Sequence, residues 1–375
     1  MKKYTCPDTV DKERILFLLH LPPPVHGSSQ VGQWISDSVL INASFNCRYI
    51  NLLASKSVDD TGRLSFSKVY NAFRLFFKVL CCIILFRPHK VYFALTTTGF
   101  AFYRDVIIVS ILKIFRLKIF FHLHNKGIKS ASKSKINFIL YKYIFENAKV
   151  IILSKFLYDD IQCFVNEQNV EICANGIPNL KLLNSDKNYK DIKPLRILFL
   201  SNLIESKGVL VLLNALVILR KREVKFEAVF VGGGGDISST QLEQFILDMD
   251  LSENVSYLGK RYDVEKQEIF ESSDLFVFPT YYKNECFPLV LLEAMQFSLP
   301  IITTSEGGIK SIVEEGKTGF VIPQKDPQKL ADKIEYLIQH PILLKDMRAN
   351  AYRRYLELFT FERFENRIME ILSNK

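Results

Sequence analysis

No run in this 375-residue chain approaches the ~20 apolar residues that a spanning helix needs. The longest candidate, Val79 to Phe86, is far too short. No secretory signal is visible, and none is expected: Met1 to Asp11 is polar, and the apolar run Ile15 to Leu21 is short and broken by His20. The seven cysteines are odd in number, scattered and without a C-x-x-C spacing, which argues against a disulfide framework or a zinc site. Cys81-Cys82 lie in an apolar helical run and read as core. There is no G-x-G-x-x-G, and no G-K-[ST] follows the glycine run Gly232 to Gly235, which argues against a dinucleotide fold fingerprint and a Walker loop. No nucleic-acid module is visible. These absences leave a cytoplasmic protein with reduced thiols as the expectation.

What is present supports two cores. A chain of this length has two domains as its prior, and 48% hydrophobic with 24% charged residues suits them. The charge is uneven. Residues 1–185 hold 24 Lys and Arg against 12 Asp and Glu, whereas the remainder holds 25 against 28. A basic, Phe-rich first half suits an anionic membrane face or a phosphate-bearing acceptor, so peripheral attachment at the inner face of the cytoplasmic membrane is expected.

Strands and helices alternate along the chain. Arg14 to His20, Cys47 to Leu52, Lys90 to Ala94, Lys118 to His124 and Val150 to Ser154 read as strands. Helices fall at about Gln30 to Leu40, Phe66 to Phe86 and Phe102 to Phe115. This βαβ rhythm predicts a parallel sheet covered on both faces. The first strand leads into Pro22-Pro23-Pro24-Val25-His26-Gly27-Ser28-Ser29, a loop where backbone can approach a phosphate or sugar. Leu182 to Lys193, polar and ending before Pro194, reads as a linker. Beyond it come strands at Leu195 to Ser201, Phe226 to Val231, Val255 to Leu258, Leu275 to Phe278 and Pro300 to Ser305. Asp326 to Gln339 and Phe361 to Leu372 read as helices.

The most informative stretch is Asn284-Glu285-Cys286-Phe287-Pro288-Leu289-Val290-Leu291-Leu292-Glu293-Ala294-Met295. Two glutamates bracket seven residues, five of them large and apolar. The pattern predicts a strand, a turn holding Glu285, and a buried helix from Phe287 to Phe297 with Pro288 in its first turn. Glu293, nearly two turns in, needs a partner or a ligand, because an unpaired carboxylate in an apolar helix is costly. The helix start offers free N–H groups and a dipole to an anion. The span to Glu293 is roughly 9–10 Å at ~1.5 Å per residue, about the reach from a diphosphate to ribose hydroxyls. A sugar nucleotide fits: sugar at Glu285, diphosphate at the helix start, ribose at Glu293.

This stretch resembles the E-x7-E signature of the retaining GT-B glycosyltransferases of family 4, the glycosyl transferases group 1, with Pro288 where glycine is common. Three other segments resemble that family. Asn202-Leu203-Ile204-Glu205-Ser206-Lys207-Gly208 is similar to its G-R-L-x-x-x-K-G, with Asn202 in place of the usual Arg and Ser201 in place of Gly. His124-Asn125 is similar to its strand-end His. Asn175-Gly176-Ile177 and Glu314 to Val321 are similar to segments read as structural, the first as a turn.

The resemblance implies two Rossmann-like domains facing across a cleft. Residues 1–185 would be acceptor-binding, 194–358 would bind a nucleotide sugar, and 359–375 would form a helix packing back on the first domain. It implies transfer of a hexosyl or N-acetylhexosaminyl unit from a UDP- or GDP-sugar, with retention, to a glycan or lipid-linked saccharide acceptor in surface polysaccharide or lipopolysaccharide synthesis. Glu285, Lys207 and His124 would act on the reacting sugar and its leaving phosphate. Glu293, Gly27, Asn202, Gly233, Lys260, Arg261, Phe287, Leu289 and Val290 would hold the donor. No carboxylate pair is spaced as acid plus nucleophile, which favours a front-face route. No metal or cofactor is expected, and no nucleic-acid partner. Two alternatives stay open: a sugar-nucleotide epimerase or phosphorylase on the same fold, and a non-catalytic nucleotide-binding scaffold, for which Asn202 is the one support.

Overall fold

The computed structural model describes residues 12–53, 66–180 and 194–374. The linker expected at Leu182 to Lys193 lies outside them. The chain forms two compact units: Met1–Ile152 with Asp160–Glu171 and Glu365–Lys375, and Leu153–Asp159 with Ile172–Phe364.

The first unit runs β1 (Arg14–Leu19), α1 (Gly27–Asp37), α2 (Val39–Ser44), β2 (Asn46–Asn51), α3 (Phe66–Phe86), β3 (Lys90–Leu95), α4 (Gly99–Ile114), β4 (Lys118–Leu123), α5 (Ile128–Ala131), α6 (Lys135–Phe145), β5 (Lys149–Ile152) and β6 (Val170–Ile172). Its sheet has the order β2-β1-β3-β4-β5-β6, with β1 parallel to β2 and β3, and β4 parallel to β3 and β5. β3 is buried along its whole length, as a sheet covered on both faces requires. The order reverses between β1 and β3, and ligands of open α/β sheets bind beyond the strand ends at such a point. The first helix begins at Gly27, three residues earlier than the apolar pattern indicates. His26 caps it by accepting from Ser29 N, and Ser29 returns the bond through its hydroxyl. It stops at Asp37, because the extended Ser38 caps α2 instead.

The second unit holds β7 (Leu195–Leu200), α7 (Val209–Lys221), β8 (Phe226–Val231), α8 (Ser239–Asp248), β9 (Val255–Tyr257), α9 (Asp263–Ser272), β10 (Leu275–Phe278), α10 (Leu289–Gln296), β11 (Ile301–Thr304), α11 (Ile309–Ile312), β12 (Gly319–Ile322), α12 (Pro327–Gln339) and α13 (Pro341–Leu358). All pairings in its sheet, β12-β11-β10-β7-β8-β9, are parallel. This is the Rossmann strand order, and it reverses between β7 and β10. α14 (Phe361–Ser373) ends the chain, and its residues from Glu365 onward belong to the first unit. There Glu365 accepts from Ser38 Oγ at 2.6 Å, and the Leu372 carbonyl accepts from the buried Lys90 ammonium at 2.6 Å.

Close backbone approach decides several glycine positions in the second unit. Gly232 has φ +151°, and a Cβ there would meet the Ser201 carbonyl oxygen at 1.8 Å. The glycine run therefore brings β8 against the loop after β7, where Leu203 N–H donates to the Gly233 carbonyl at 2.7 Å. Gly208, with φ +94°, packs its Cα against the Pro279 carbonyl in the same way. Gly176, read from the sequence as a turn, has Thr360 O where a Cβ would stand, at 2.2 Å.

Candidate functional site

The strand-order reversal of the second unit positions two side chains. Lys207 leaves the C-terminal side of β7 and Glu285 that of β10. The loop carrying Lys207 is clamped to the loop after β10: Tyr281 N–H donates to Ser206 O at 2.7 Å, and the Tyr281 hydroxyl donates to Glu205 at 3.1 Å. Asp236, at the end of the glycine loop, accepts from Glu205 N at 2.7 Å. The result is a direct ion pair, Lys207 Nζ to Glu285 Oε2 at 2.5 Å, between two largely buried side chains. The Lys207 ammonium also lies 4.6 Å from the Tyr282 ring centroid and 5.5 Å from that of Phe278. Neither aromatic contact is foreshadowed by the motif. Behind Glu285, Gly308 N–H donates to the Cys286 carbonyl at 2.7 Å, and a Cβ on Gly307 would meet Glu285 O at 2.2 Å. The glutamate's backbone is thereby fixed.

The helix after Glu285 starts later than the sequence suggests. Pro288 is its N-cap, with φ −67° and ψ 116°, and Leu289 is its first residue. Proline disfavours helical backbone in the residue before it, so Phe287 could not have opened the helix. Glu293 therefore lies about one turn in, roughly 6 Å from Leu289 along the axis instead of 9–10 Å. α10 buries Leu291, Leu292, Ala294, Met295 and Gln296. Leu289, Val290 and Glu293 remain on its half-buried face. No side chain caps the helix, and at its first two positions the Leu289 and Val290 N–H groups have no acceptor within it. Phe287 departs from the expected pattern: its ring is buried at 5% exposure and packs 6.0 Å from Phe359, so only its backbone can serve a ligand.

Glu293 does have a partner, Lys266 of α9, at 2.7 Å. Sequence reading missed it because α9 carries no clean apolar period. Lys260 is exposed, yet its stem crosses Gly233, where a Cβ would meet Cε at 2.0 Å. Arg261 lies 3.8 Å from Glu265, and Asn202 is exposed. In the second unit, then, one helix N-terminus, two Lys–Glu pairs and a glycine loop gather around the β7–β10 reversal.

The first unit gathers histidines at its own reversal. His20, after β1, exchanges a hydrogen bond with Thr96, after β3, at 3.2 Å, and its other ring nitrogen is 3.2 Å from the Ser28 hydroxyl. Ser28 also meets His26 Nδ1 at 3.1 Å. Gly27 is exposed at the start of α1. His124, just past β4, packs against His122 with ring centroids 4.1 Å apart and planes tilted by 40°, and the fully buried Tyr92 hydrogen-bonds His122. The Nδ1 of His124 is buried with no hydrogen-bond partner among the described residues. His20 and Tyr92 join this group without any motif to announce them; only their place at strand ends and in register could have found them.

Burial holds all four rings neutral. It lowers His26, and it lowers His122 well below the ordinary value, with His124 adding repulsion. Burial, then Arg104, His124 and His26, does the same to His20. Burial followed by His26 brings His124 down to about 4. Between about pH 6.5 and 4 the unfolded chain binds protons that the folded histidines refuse, so stability falls as pH falls. At about 1.4 kcal/mol per pH unit, His124 alone contributes a loss on the order of 2–3 kcal/mol by pH 4. Melting curves of the parent and of His124→Gln should check this. The parent's Tm should drop more steeply between pH 7 and 4.5, and parallel curves would contradict the assignment.

Among the described residues, no group of three or more His, Cys, Asp or Glu is arranged to hold a metal ion. No helix there is long and apolar enough to cross a membrane.

Comparison with known proteins agrees with this geometry. Residues 182–354 match the family model of glycosyl transferases group 1. Along the whole chain, the Anabaena protein HepE, solved with UDP and with UDP-glucose, superposes. For the UDP complex the TM-score is 0.73 at 20% identity, covering 96% of this chain and 99% of that one. The fold is GT-B, and residues 182–354 are similar to a glycosyl transferases group 1 domain. The amylovoran biosynthesis glycosyltransferase AmsK of Erwinia amylovora is 33% identical over 143 residues, 37% of this chain and 35% of that protein. The D-rhamnosyltransferase WbpZ of Pseudomonas aeruginosa is 31% identical over 155 residues, 41% and 39%. These matches span only about a third to two fifths of the relatives' length.

Proposed function

We propose that this GT-B chain moves a glycosyl unit from a UDP- or GDP-sugar to an acceptor hydroxyl, with retention of anomeric configuration. The observation that carries the reading is the Lys207–Glu285 pair beside the uncapped start of α10, with Glu293 on the open face of the same helix. The Leu289 and Val290 N–H groups, the helix dipole and Lys207 would take the diphosphate. As the bond to the sugar breaks, negative charge grows on the leaving phosphate, and the Lys207 ammonium stabilises it. Glu285 accepts from sugar hydroxyls and holds Lys207 in place beforehand. The leaving phosphate oxygen takes the acceptor's proton in a front-face displacement. Glu293 binds the ribose hydroxyls, exchanging Lys266 for them or sharing its carboxylate between both. His124, neutral at pH 7, offers its imidazole to a substrate hydroxyl.

The donor class is supported by the UDP and UDP-glucose complexes of HepE. A glycan or lipid-linked saccharide acceptor, in surface polysaccharide or lipopolysaccharide synthesis, is supported by the amylovoran relative. Lys207, Lys260, Arg261 and the helix start would neutralise the diphosphate without a metal, so a chelator should leave the rate within about twofold; its abolition would refute that part.

The test is nucleoside diphosphate release with and without a lipid-linked saccharide acceptor. Release should require the acceptor, and the product should keep the donor's anomeric configuration. Equal release in its absence would favour hydrolysis or epimerisation. Tight nucleotide binding with no turnover on any acceptor would favour a scaffold. Glu293→Gln should raise the nucleotide Kd about tenfold or more in calorimetry, since charge-assisted bonds to two hydroxyls are lost; an unchanged Kd would sink the ribose role.

A further inference from the structure

We propose that the face of the first unit built by α3, α4 and α6 docks on an anionic lipid surface. This inference rests on charge and exposure within that unit and not on the transfer chemistry above. The three helices are successive crossovers, β2 to β3, β3 to β4 and β4 to β5, that step in one direction along the sheet. Right-handed connection places all three on one face. They are neighbours there: the Tyr103 hydroxyl of α4 donates to Asn137 of α6 at 2.8 Å, and Lys113 of α4 lies over the Tyr143 ring of α6.

Each helix carries two apolar stripes, one inward and one outward. α4 buries Phe102, Val109 and Leu112, yet also exposes Phe100, Tyr103, Ile107 and Ile114 at helical spacing. α6 buries Tyr141 and Ile144 and exposes Ile136, Ile139 and Tyr143. On α3, Tyr70, Phe73, Phe77 and Ile84 form the outer row, with the Phe73 and Phe77 rings 4.7 Å apart. Scattered exposed apolar residues are ordinary; three adjacent rows on one face are an interaction surface.

The charge on this face identifies the occupant. From residue 61 to 145 the chain has fifteen Lys and Arg and a single acidic residue, Asp105. Asp105 is fully buried and paired with Arg104 at 2.7 Å. The outward faces of α3, α4 and α6 therefore present no carboxylate, while Arg74, Lys78, Lys135 and Lys142 are exposed beside the apolar rows. A second copy of this face would bring cation against cation. A nucleic acid would match the charge but would offer nothing to Ile107, Ile136 or Ile139. A bilayer with acidic headgroups matches both: cations at the phosphates, apolar side chains in the boundary below them.

Sedimentation of the whole chain with lipid vesicles tests this. Binding to vesicles of phosphatidylcholine plus phosphatidylglycerol should exceed binding to phosphatidylcholine alone by roughly tenfold or more at low salt, and should weaken as salt is raised. The variant F73S/I107S/I139S should lose about tenfold in binding with Tm unchanged, because each site is more than half exposed. The variant R74E/K78E/K142E should remove the preference for acidic lipid. Both should bind nucleotide as the parent does, so failure of the docking face and failure of the transferase reading are separable. Parent protein that stays in solution with acidic vesicles, or variants that partition like the parent, would overturn the proposal. So would a dimer in sedimentation velocity that the serine variant dissociates.

Discussion

Glu285→Gln is expected to lower turnover on the order of 10²- to 10³-fold while leaving the protein folded. Glutamine keeps the size of the side chain and an oxygen that can accept from Lys207, so the loop clamp around Ser206 and Tyr281 persists. What disappears is the negative charge that holds the ammonium and that, in the proposed mechanism, binds sugar hydroxyls. Lys207→Met should be worse for stability, because it leaves the Glu285 carboxylate, 7% exposed, without the ammonium. Breaking one side of a buried pair costs about 3–5 kcal/mol. The double variant K207M/E285Q separates structure from chemistry. It should recover much of the lost Tm, since no charge is stranded, and recover none of the turnover. Recovery of both would reduce the pair to a structural ion pair.

A stability effect of similar size is expected at Gly232→Ala. The added Cβ would stand 1.8 Å from the Ser201 carbonyl, at φ +151°, so β7 and β8 would have to part at their C-terminal ends. A loss above ~3 kcal/mol is expected from overpacking plus backbone strain, a Tm decrease of roughly 10 °C or more for a unit of this size. Gly259→Ala is the control. It also has positive φ, at +70°, but nothing lies within 4 Å of its Cβ, so it should cost only about 1 kcal/mol. Equal losses at the two positions would show that crowding at Gly232 is not what the glycine relieves.

Much of this could be read in advance, for physical reasons that also explain the misses. Short apolar runs such as Leu275–Phe278 are buried on both faces, so their ends in sequence are their ends in space. The Glu285–Glu293 spacing located one helix and its open start. Phe287-Pro288 also carried the information that the helix begins at Leu289, through the steric effect of proline on its predecessor, but the apolar pattern masked it. Nothing local could reveal that Lys207 and Glu285 touch, for they are 78 residues apart and meet only because β7 and β10 are neighbours. The same holds for Lys266 with Glu293 and for His20 with Thr96. α9 was illegible because its apolar residues are sparse, and α13 because its many apolar residues follow no single face: it buries only Met347, Arg348, Ala351 and Tyr355 among eighteen residues. The outer apolar rows of α4 and α6 hid in sequence for the opposite reason, since a helix apolar all round reads as core.

The central claim is that the second unit holds a nucleoside diphosphate across α10. Calorimetric titration of the whole chain with UDP, GDP and ADP tests it most directly, in the parent and in Glu293→Gln and Lys207→Ala. At least one nucleotide should bind the parent with a micromolar Kd, of about −8 kcal/mol, and both variants should weaken it, by losing the ribose partner and the phosphate partner respectively. No binding of any of the three at millimolar concentration, or a Kd identical in all three proteins, would contradict the account.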